Sequence, residues 1–235
     1  VVLVLDCSGS MGGTPFYEMQ KVADQFCSDI LENNSQNRVA IVSFETNVYS
    51  TKLTSDIASL RDYIQQLSTT GVTNTQGALE CAGQILDDYG ADGSVKNIII
   101  MTDGLPNAGA TSNSGSFVST SNYYGYAPDD LYANAVVDTA KDLMSKYNLY
   151  SLGFFHSLDG ETLAYGSELV SQLTNQENGY YQVEDASNLQ FAFGDIGETI
   201  TDGSKIIINV ACPVDVKVSC NGEYLSSDAD DFKDS

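Results

Sequence analysis

Short apolar runs alternate with longer segments of helical periodicity along most of the chain. Five runs are almost continuously apolar, a pattern that predicts strands covered on both faces. They are VVLVLD at 1–6, RVAIVSF at 38–44, VKNIIIMTD at 95–103, LYSLGFF at 149–155 and the weaker GYYQV at 179–183. The stretch NVYSTKL at 47–53 alternates polar and apolar positions after a tight ETN link, so it predicts an antiparallel edge strand.

Between these runs, apolar residues recur at spacings of three and four, which predicts amphipathic helices. The first helix begins near Thr14 and Pro15, and the others are predicted at 55–67, 75–89, 129–147, 161–174 and 186–201. Strand and helix alternate with short links, so we predict an α/β fold: a doubly wound, mostly parallel sheet with one antiparallel edge strand, flanked by helices. Ligand sites in that architecture gather at the carboxyl ends of the strands.

One long segment, 104–127, lacks periodicity and is rich in Gly, Ser and Asn. It leaves the carboxyl end of a predicted strand, so we expect it to lie on the ligand-bearing face and to shape selectivity. Tyr123, Tyr124 and Tyr126 are candidate ligand-binding residues in it, since tyrosine offers a large contact area at low entropic cost. The same three tyrosines are equally suited to pinning the loop onto its own domain.

The last part of the chain changes character again. From about Gly203 the sequence alternates with period two, and Asn221-Gly222 is a strong signal for a tight hairpin turn. We therefore divide the chain into an α/β domain at 1–202 and a short β-rich, hairpin-containing extension at 203–235, which we expect to belong to an adjoining β-domain. Because the sequence begins inside a predicted strand, we expect it to be a piece of a longer protein.

Charge and cysteine content narrow the partner classes. The chain has 10 Lys plus Arg against 32 Asp plus Glu, a net charge of −22 that repels phosphate backbones and anionic lipids but attracts divalent cations. We therefore expect no nucleic-acid partner and no membrane insertion by this fragment. No CxxC pair occurs, so no zinc or redox motif is indicated; whether the cysteines form disulfides stays open, with Cys212 and Cys220 able to pair. The five are Cys7, Cys27, Cys81, Cys212 and Cys220.

Three short stretches carry oxygen donors to places that the predicted fold brings together. Asp6, Ser8 and Ser10 alternate just after the first predicted strand, Asp103 ends another strand, and Thr73 precedes the helix predicted at 75. Carboxylates and hydroxyls suit Mg²⁺, Mn²⁺ or Ca²⁺ rather than softer metals. Thr75 is the better N-cap of that helix, with Thr73 facing the site, but the two roles exchange if the helix begins earlier.

These stretches also carry a family resemblance. DCSGSMGG, TNTQGAL and IIIMTDG match, in order and context, the motifs of the von Willebrand factor type A domain with its metal-ion-dependent adhesion site, and the similarity covers roughly residues 1–202. The resemblance implies that Mg²⁺ or another divalent ion (Mn²⁺ or Ca²⁺) is held by the matching residues, and that a protein or peptide ligand completes its shell with an Asp or Glu carboxylate. The matching residues are Asp6, Ser8, Ser10, Thr73 and Asp103.

The expected function is therefore metal-dependent adhesion or protein binding, and not enzymatic. Similar domains occur joined to β-domains in bacterial surface and pilus-tip proteins, which implies an extracellular or cell-surface location. The alternative is an intracellular partner subunit of an ATPase or chelatase complex, as in other members of the family. A hydrolase built on Ser10, His156 and Asp103 is a third hypothesis, although the chain lacks a GxSxG elbow.

Overall fold

We describe the protein from a computed structural model. The structure describes residues 1–103, 105–120, 130–185, 188–202, 217–220 and 223–226. The chain divides into two compact units, Val1–Asp202 and Gly203–Ser235.

The first unit is built on a six-stranded sheet in the order β3-β2-β1-β4-β5-β6. All neighbours pair in parallel except β2 and β3, which are antiparallel. This confirms the predicted mostly parallel sheet with one antiparallel edge strand. The strands are β1 (Val2–Asp6), β2 (Ala40–Phe44), β3 (Val48–Ser50), β4 (Asn97–Thr102), β5 (Asn148–Phe154) and β6 (Tyr180–Val183).

Helices cover both faces of this sheet, which explains why its central strands read as continuous apolar runs. In β1, Leu3 and Leu5 point into one buried cluster, which α1, α2 and α6 complete, while Val2 and Val4 point into the other, which α3, α4 and α5 complete. The helices are α1 (Thr14–Asn33), α2 (Ile57–Gln66), α3 (Thr75–Tyr89), α4 (Leu131–Met144), α5 (Gly160–Ser171) and α6 (Leu189–Asp202). Among the described residues we find no helix with the length and hydrophobicity that a bilayer crossing demands.

The N-terminus of α3 differs from the sequence prediction. Asn74, and not Thr75, is the N-cap: its side chain accepts a hydrogen bond from the Gly77 backbone N–H at 3.1 Å. Asparagine satisfies the free amides of a first turn as well as a hydroxyl residue does. Thr75 is the first helical residue, and Thr73 lies in the loop before the cap.

The segment after β4 agrees only in part with the prediction that it lies on the ligand-bearing face. Its first residues stay at that rim, where the Asn107 N–H donates to the Thr73 carbonyl at 3.1 Å. Residues 112–120 instead run over α4 and α5, because Phe117 is buried there and packs edge-on against Tyr165 with ring centroids 4.9 Å apart. The Phe117 backbone N–H donates to Asn134 Oδ1 at 2.9 Å, and the Thr120 N–H donates to Glu168. A buried aromatic ring thus draws residues 112–120 down the helical face. The ligand contacts predicted for Tyr123, Tyr124 and Tyr126 lie outside the described residues.

In the second unit, β7 (Lys217–Cys220) pairs antiparallel with β8 (Glu223–Ser226), and Cys220 stands opposite Glu223 in the register. The turn predicted at Asn221-Gly222 lies outside the described residues, as does the pairing considered for Cys212 and Cys220. That this hairpin belongs to an adjoining β-domain stays a prediction.

Candidate metal centre

Asp6 forms the buried floor of the predicted site. It is the last residue of β1 and is fully buried, and its two carboxylate oxygens accept different donors. The Ser8 backbone N–H donates to Oδ1 at 2.8 Å, and the Thr102 hydroxyl donates to Oδ2 at 2.6 Å. Because β1 and β4 are parallel neighbours, Thr102 at the end of β4 reaches this carboxylate directly. Thr102 is thus a member of the site that the sequence reasoning missed, although it stands next to Asp103 in the MTDG stretch.

A chain of side-chain hydrogen bonds joins the first loop to the end of β4. The Ser8 and Ser10 hydroxyl oxygens are 3.0 Å apart, and the Ser10 hydroxyl donates to Asp103 Oδ1 at 2.9 Å. Ser8 and Asp103 are buried, whereas Ser10 is exposed. The arrangement therefore opens to solvent on the side of Ser10.

Thr73 reaches the same rim because its loop is tied to both neighbouring loops. The Thr70 backbone N–H donates to the Cys7 carbonyl at 3.0 Å, and the Gly9 N–H donates to the Gly71 carbonyl at 3.3 Å. On the other side, the Thr73 N–H donates to Asn107 Oδ1 at 2.8 Å. Thr73 itself is buried. The three predicted stretches thus meet at one edge of the sheet, and Asn107, for which the sequence held no signal, holds two of them together.

Two buried carboxylates lie in this site with little to offset their charge. Burial, reinforced by the nearby Asp6, raises the pKa of Asp103 to about 7, and burial likewise raises the pKa of Asp6. Asp103 Oδ2 is buried and has no hydrogen-bond partner among the described residues. In the described part of the chain, no lysine or arginine forms an ion pair with either carboxylate. The site is short of positive charge.

In the presence of EDTA, we expect the free energy of unfolding of Asp103→Asn to increase relative to that of the wild type as the pH rises from about 4 to 7. The folded wild type holds a proton on Asp103 up to a pKa of about 7, whereas the ordinary value is 3.8, so ionisation favours the unfolded chain across this interval. Asparagine carries no such cost and keeps an acceptor for Ser10. Urea unfolding of both proteins across this pH range measures the difference, and a difference that does not vary with pH contradicts this account of the buried charge.

The donor set fits a hard divalent cation. Asp6, Ser8, Ser10, Thr73 and Asp103 offer carboxylate and hydroxyl oxygens, which Mg²⁺, Mn²⁺ and Ca²⁺ prefer. In the described ranges, no group of three or more His, Cys, Asp or Glu side chains is arranged so that it could hold a metal ion by itself. The two carboxylates therefore depend on the hydroxyls for further donors, and the unpartnered Asp103 oxygen is the observation that a cation would explain.

The geometry does not have the order of a Ser–His–Asp triad. Ser10 donates to Asp103, and His156 Nδ1 lies 4.0 Å from the other oxygen of Asp103, so the carboxylate stands between the two other groups. In a hydrolytic triad the histidine stands between serine and carboxylate, so that it can take the serine proton. This arrangement gives Ser10 no adjacent histidine that could take its proton.

Cys7 lies between two of the site residues in sequence but belongs to the core. Its side chain is buried in the cluster beneath α1, and burial raises the pKa of its thiol to about 12. Cys7, Cys27 and Cys81 are free cysteines. A protonated buried thiol is a packing group, which agrees with the interpretation of Cys7 as a small core residue.

Known proteins share both the sequence pattern and the fold. Residues 1–105 match the model of the von Willebrand factor type A domain. Over 128 residues the chain is 30% identical to inter-alpha-trypsin inhibitor heavy chain H6 of Homo sapiens, a match that covers 48% of this chain and 10% of that protein. The chain thus spans about a tenth of the length of this relative.

Solved structures of similar fold come from pilus proteins. The von Willebrand factor domain of the type V pili tip protein Mfa5 from Porphyromonas gingivalis aligns with a TM-score of 0.73 at 19% identity, covering 89% of this chain and 97% of that one. The pilus adhesin SpaC from Lactobacillus rhamnosus GG, in an open conformation, aligns with a TM-score of 0.70 at 18% identity, covering 86% of this chain and 30% of that one. At these identities the similarity establishes a shared fold. The predicted resemblance is confirmed: residues 1–105 match the model of the von Willebrand factor type A domain, and the chain shares the fold of a solved domain of that kind.

Proposed function

We propose that this chain is a metal-dependent adhesion or protein-binding module and not an enzyme. One divalent cation, Mg²⁺ or else Mn²⁺ or Ca²⁺, would be held by the converging oxygens of the three loops. The observation that carries the proposal is the meeting of two buried carboxylates, Asp6 and Asp103, with a row of hydroxyls at the rim of the sheet. Burying two like charges together is costly unless a cation compensates them.

Each residue has a distinct part in this proposal. Asp6 and Asp103 supply the negative charge, Ser8 and Ser10 supply hydroxyl oxygens, and Thr73 adds an oxygen from the third loop. When bound, the cation supplies an electrophilic position for a carboxylate of the ligand. Ser10 is the exposed member, so the ligand would approach from its side.

The kinds of protein that share the fold support a proposed cell-surface role in adhesion. The similar structures include a pili tip protein and a pilus adhesin, and the chain's net charge of −22 disfavours nucleic acids and anionic membranes as partners. The ligand we propose is a protein or peptide that presents an Asp or Glu side chain. A carboxylate ligand approaches an acidic protein favourably only where a bound cation reverses the local field.

Peptide selection tests this function without knowledge of the natural ligand. A displayed library of random peptides is selected against the chain in millimolar Mg²⁺ or Mn²⁺. We expect the recovered peptides to contain Asp or Glu, and their binding to be lost in EDTA or when that residue is changed to Asn or Gln. Peptides that bind equally well in EDTA, or without any carboxylate, would contradict the proposal.

The alternative of an intracellular partner subunit makes a different prediction. A chain that acts with an ATPase or chelatase would be encoded without an export signal and would be recovered in complex with that enzyme. A signal peptide upstream and a wall anchor downstream in the complete gene would count against it and support the cell-surface role.

A further inference from the structure

His156 is the chain's only histidine and lies beside the proposed cation centre. It follows β5 by two residues, and β5 pairs in parallel with β4 so that Thr102 stands opposite Gly153. The residues after both strands therefore emerge at the same rim of the sheet. This register brings the imidazole to Asp103, the residue with which the hydrolase hypothesis had grouped it.

Two polar atoms face each other there without hydrogen bonds. His156 Nδ1 lies 4.0 Å from Asp103 Oδ2, and within the described part of the chain both atoms are buried and without a partner. The separation is too long for a hydrogen bond. It is within reach of two donors that share one cation, since metal–nitrogen and metal–oxygen bonds are each about 2.0–2.2 Å.

The imidazole is held in place by packing. The Phe154 ring, which is fully buried, lies against it with centroids 5.0 Å apart and planes inclined by 34°. The side chain of His156 is 21% exposed, so a bound ion would be shielded yet accessible. A packed ligand is oriented before the ion arrives, which favours binding.

We propose that His156 is a nitrogen donor of the cation centre and selects Zn²⁺ and the later first-row transition metals over Mg²⁺ and Ca²⁺. This inference rests on the proposed function, because it assumes a cation at Asp103. Imidazole nitrogen is a poor ligand for Mg²⁺ and Ca²⁺ and a good one for transition metals. With this nitrogen, an otherwise all-oxygen site would gain a preference for transition metals that its hydroxyls and carboxylates do not provide.

The single histidine makes a direct test possible. Mn²⁺ is bound to the chain without any affinity tag, and electron spin echo envelope modulation reports whether an imidazole nitrogen is coordinated. We expect this nitrogen signal in the wild type and a changed frequency when histidine carries ¹⁵N. We expect no such signal in His156→Ala. Bound Mn²⁺ without an imidazole signal would overturn the proposal.

Competition between metals gives an independent readout. We expect the ratio of Zn²⁺ to Mg²⁺ affinity to fall roughly tenfold or more in His156→Ala, with Mg²⁺ affinity little changed. His156→Asn separates ligation from positioning, because an amide can hydrogen-bond to Asp103 but lacks the imidazole nitrogen. An affinity ratio that Asn restores to the wild-type value would overturn the proposal.

The outcome also separates this inference from the function on which it rests. If the wild type binds Mn²⁺ and Mg²⁺ but shows no imidazole signal, only the role of His156 is rejected. If the folded wild type binds none of the three ions, both the inference and the proposed function are rejected. Circular dichroism of each variant verifies that the fold is retained.

Discussion

Replacing Asp6 with alanine is expected to reduce the affinity for Mg²⁺ and Mn²⁺ by at least about 100-fold while the domain remains folded. Loss of an outer-shell partner alone costs about 10–100-fold in metal affinity, and Asp6 would contribute a full negative charge. The fold should persist because Asp6→Ala also removes one of two buried like charges. Isothermal titration with each metal measures the affinity, and far-UV circular dichroism with urea unfolding measures the fold.

Two further variants make the Asp6 result interpretable. Asp6→Asn keeps the shape of the side chain and an acceptor for the Ser8 N–H, so it removes the charge and only the bond from the Thr102 hydroxyl. Asp24→Ala removes a carboxylate from the surface of α1, where Asp24 forms an ion pair with Arg61 and is not one of the proposed metal donors. We expect Asp6→Asn to lose the metal and Asp24→Ala to retain it. Unchanged metal binding in Asp6→Ala and Asp6→Asn would remove Asp6 from the site.

Changing Gly71 to alanine is expected to displace the loop that carries Thr73 and to lower cation affinity about tenfold or more. Gly71 has a φ of +67°, and a Cβ there would lie 2.5 Å from Glu45 Oε2 and would also meet the Thr46 hydroxyl. Its carbonyl accepts the Gly9 N–H, so a shift at Gly71 is passed on to the first loop. We also expect a loss of about 1–3 kcal/mol in unfolding free energy from backbone strain.

Gly93 provides the matched control for this variant. It has a φ of +72° in the link before β4, and a Cβ there would meet nothing within 4 Å. Gly93→Ala should therefore cost similar backbone strain and leave metal affinity unchanged. Stability is measured by urea unfolding and affinity by titration with Mn²⁺. If the two variants lose the same affinity, or neither loses any, the close approach at Gly71 has no part in positioning Thr73.

The fold could be predicted from the sequence because each strand is covered on both faces. A strand such as β1 sends Leu3 and Leu5 to one core and Val2 and Val4 to the other, which leaves a continuous apolar run as its signature. The boundaries were less well determined where several polar residues compete for one role, as at Asn74 and Thr75 before α3.

The five predicted donors could be found because each lies within a few residues of the end of a strand or the start of a helix. Asp6 ends β1, and Asp103 directly follows β4. Because these two strands are parallel neighbours, the topology alone brings both residues to one rim of the sheet. Their assignment as metal ligands stays a prediction. Asn107 could not be found, since its bond to Thr73 depends on the path of a loop.

The course of residues 112–120 was wrong in the prediction for a related reason. The whole segment was expected on the ligand-bearing face because it leaves the carboxyl end of a strand, but the burial of one ring, Phe117, decided where these residues run. Likewise, the approach of His156 to Asp103 follows from the pairing of β4 with β5, which the local sequence does not encode. Contacts between distant loops require the folded chain.

The central claim is that the three loops hold one divalent cation, and anomalous diffraction from a crystal of this chain grown with Mn²⁺ tests it most directly. The account predicts a single strong Mn²⁺ peak among the oxygens of the proposed site, which would disappear in Asp6→Ala crystals grown in the same way. Those oxygens belong to Asp6, Ser8, Ser10, Thr73 and Asp103. A wild-type crystal without a peak there, or with its Mn²⁺ bound only elsewhere, would contradict the account.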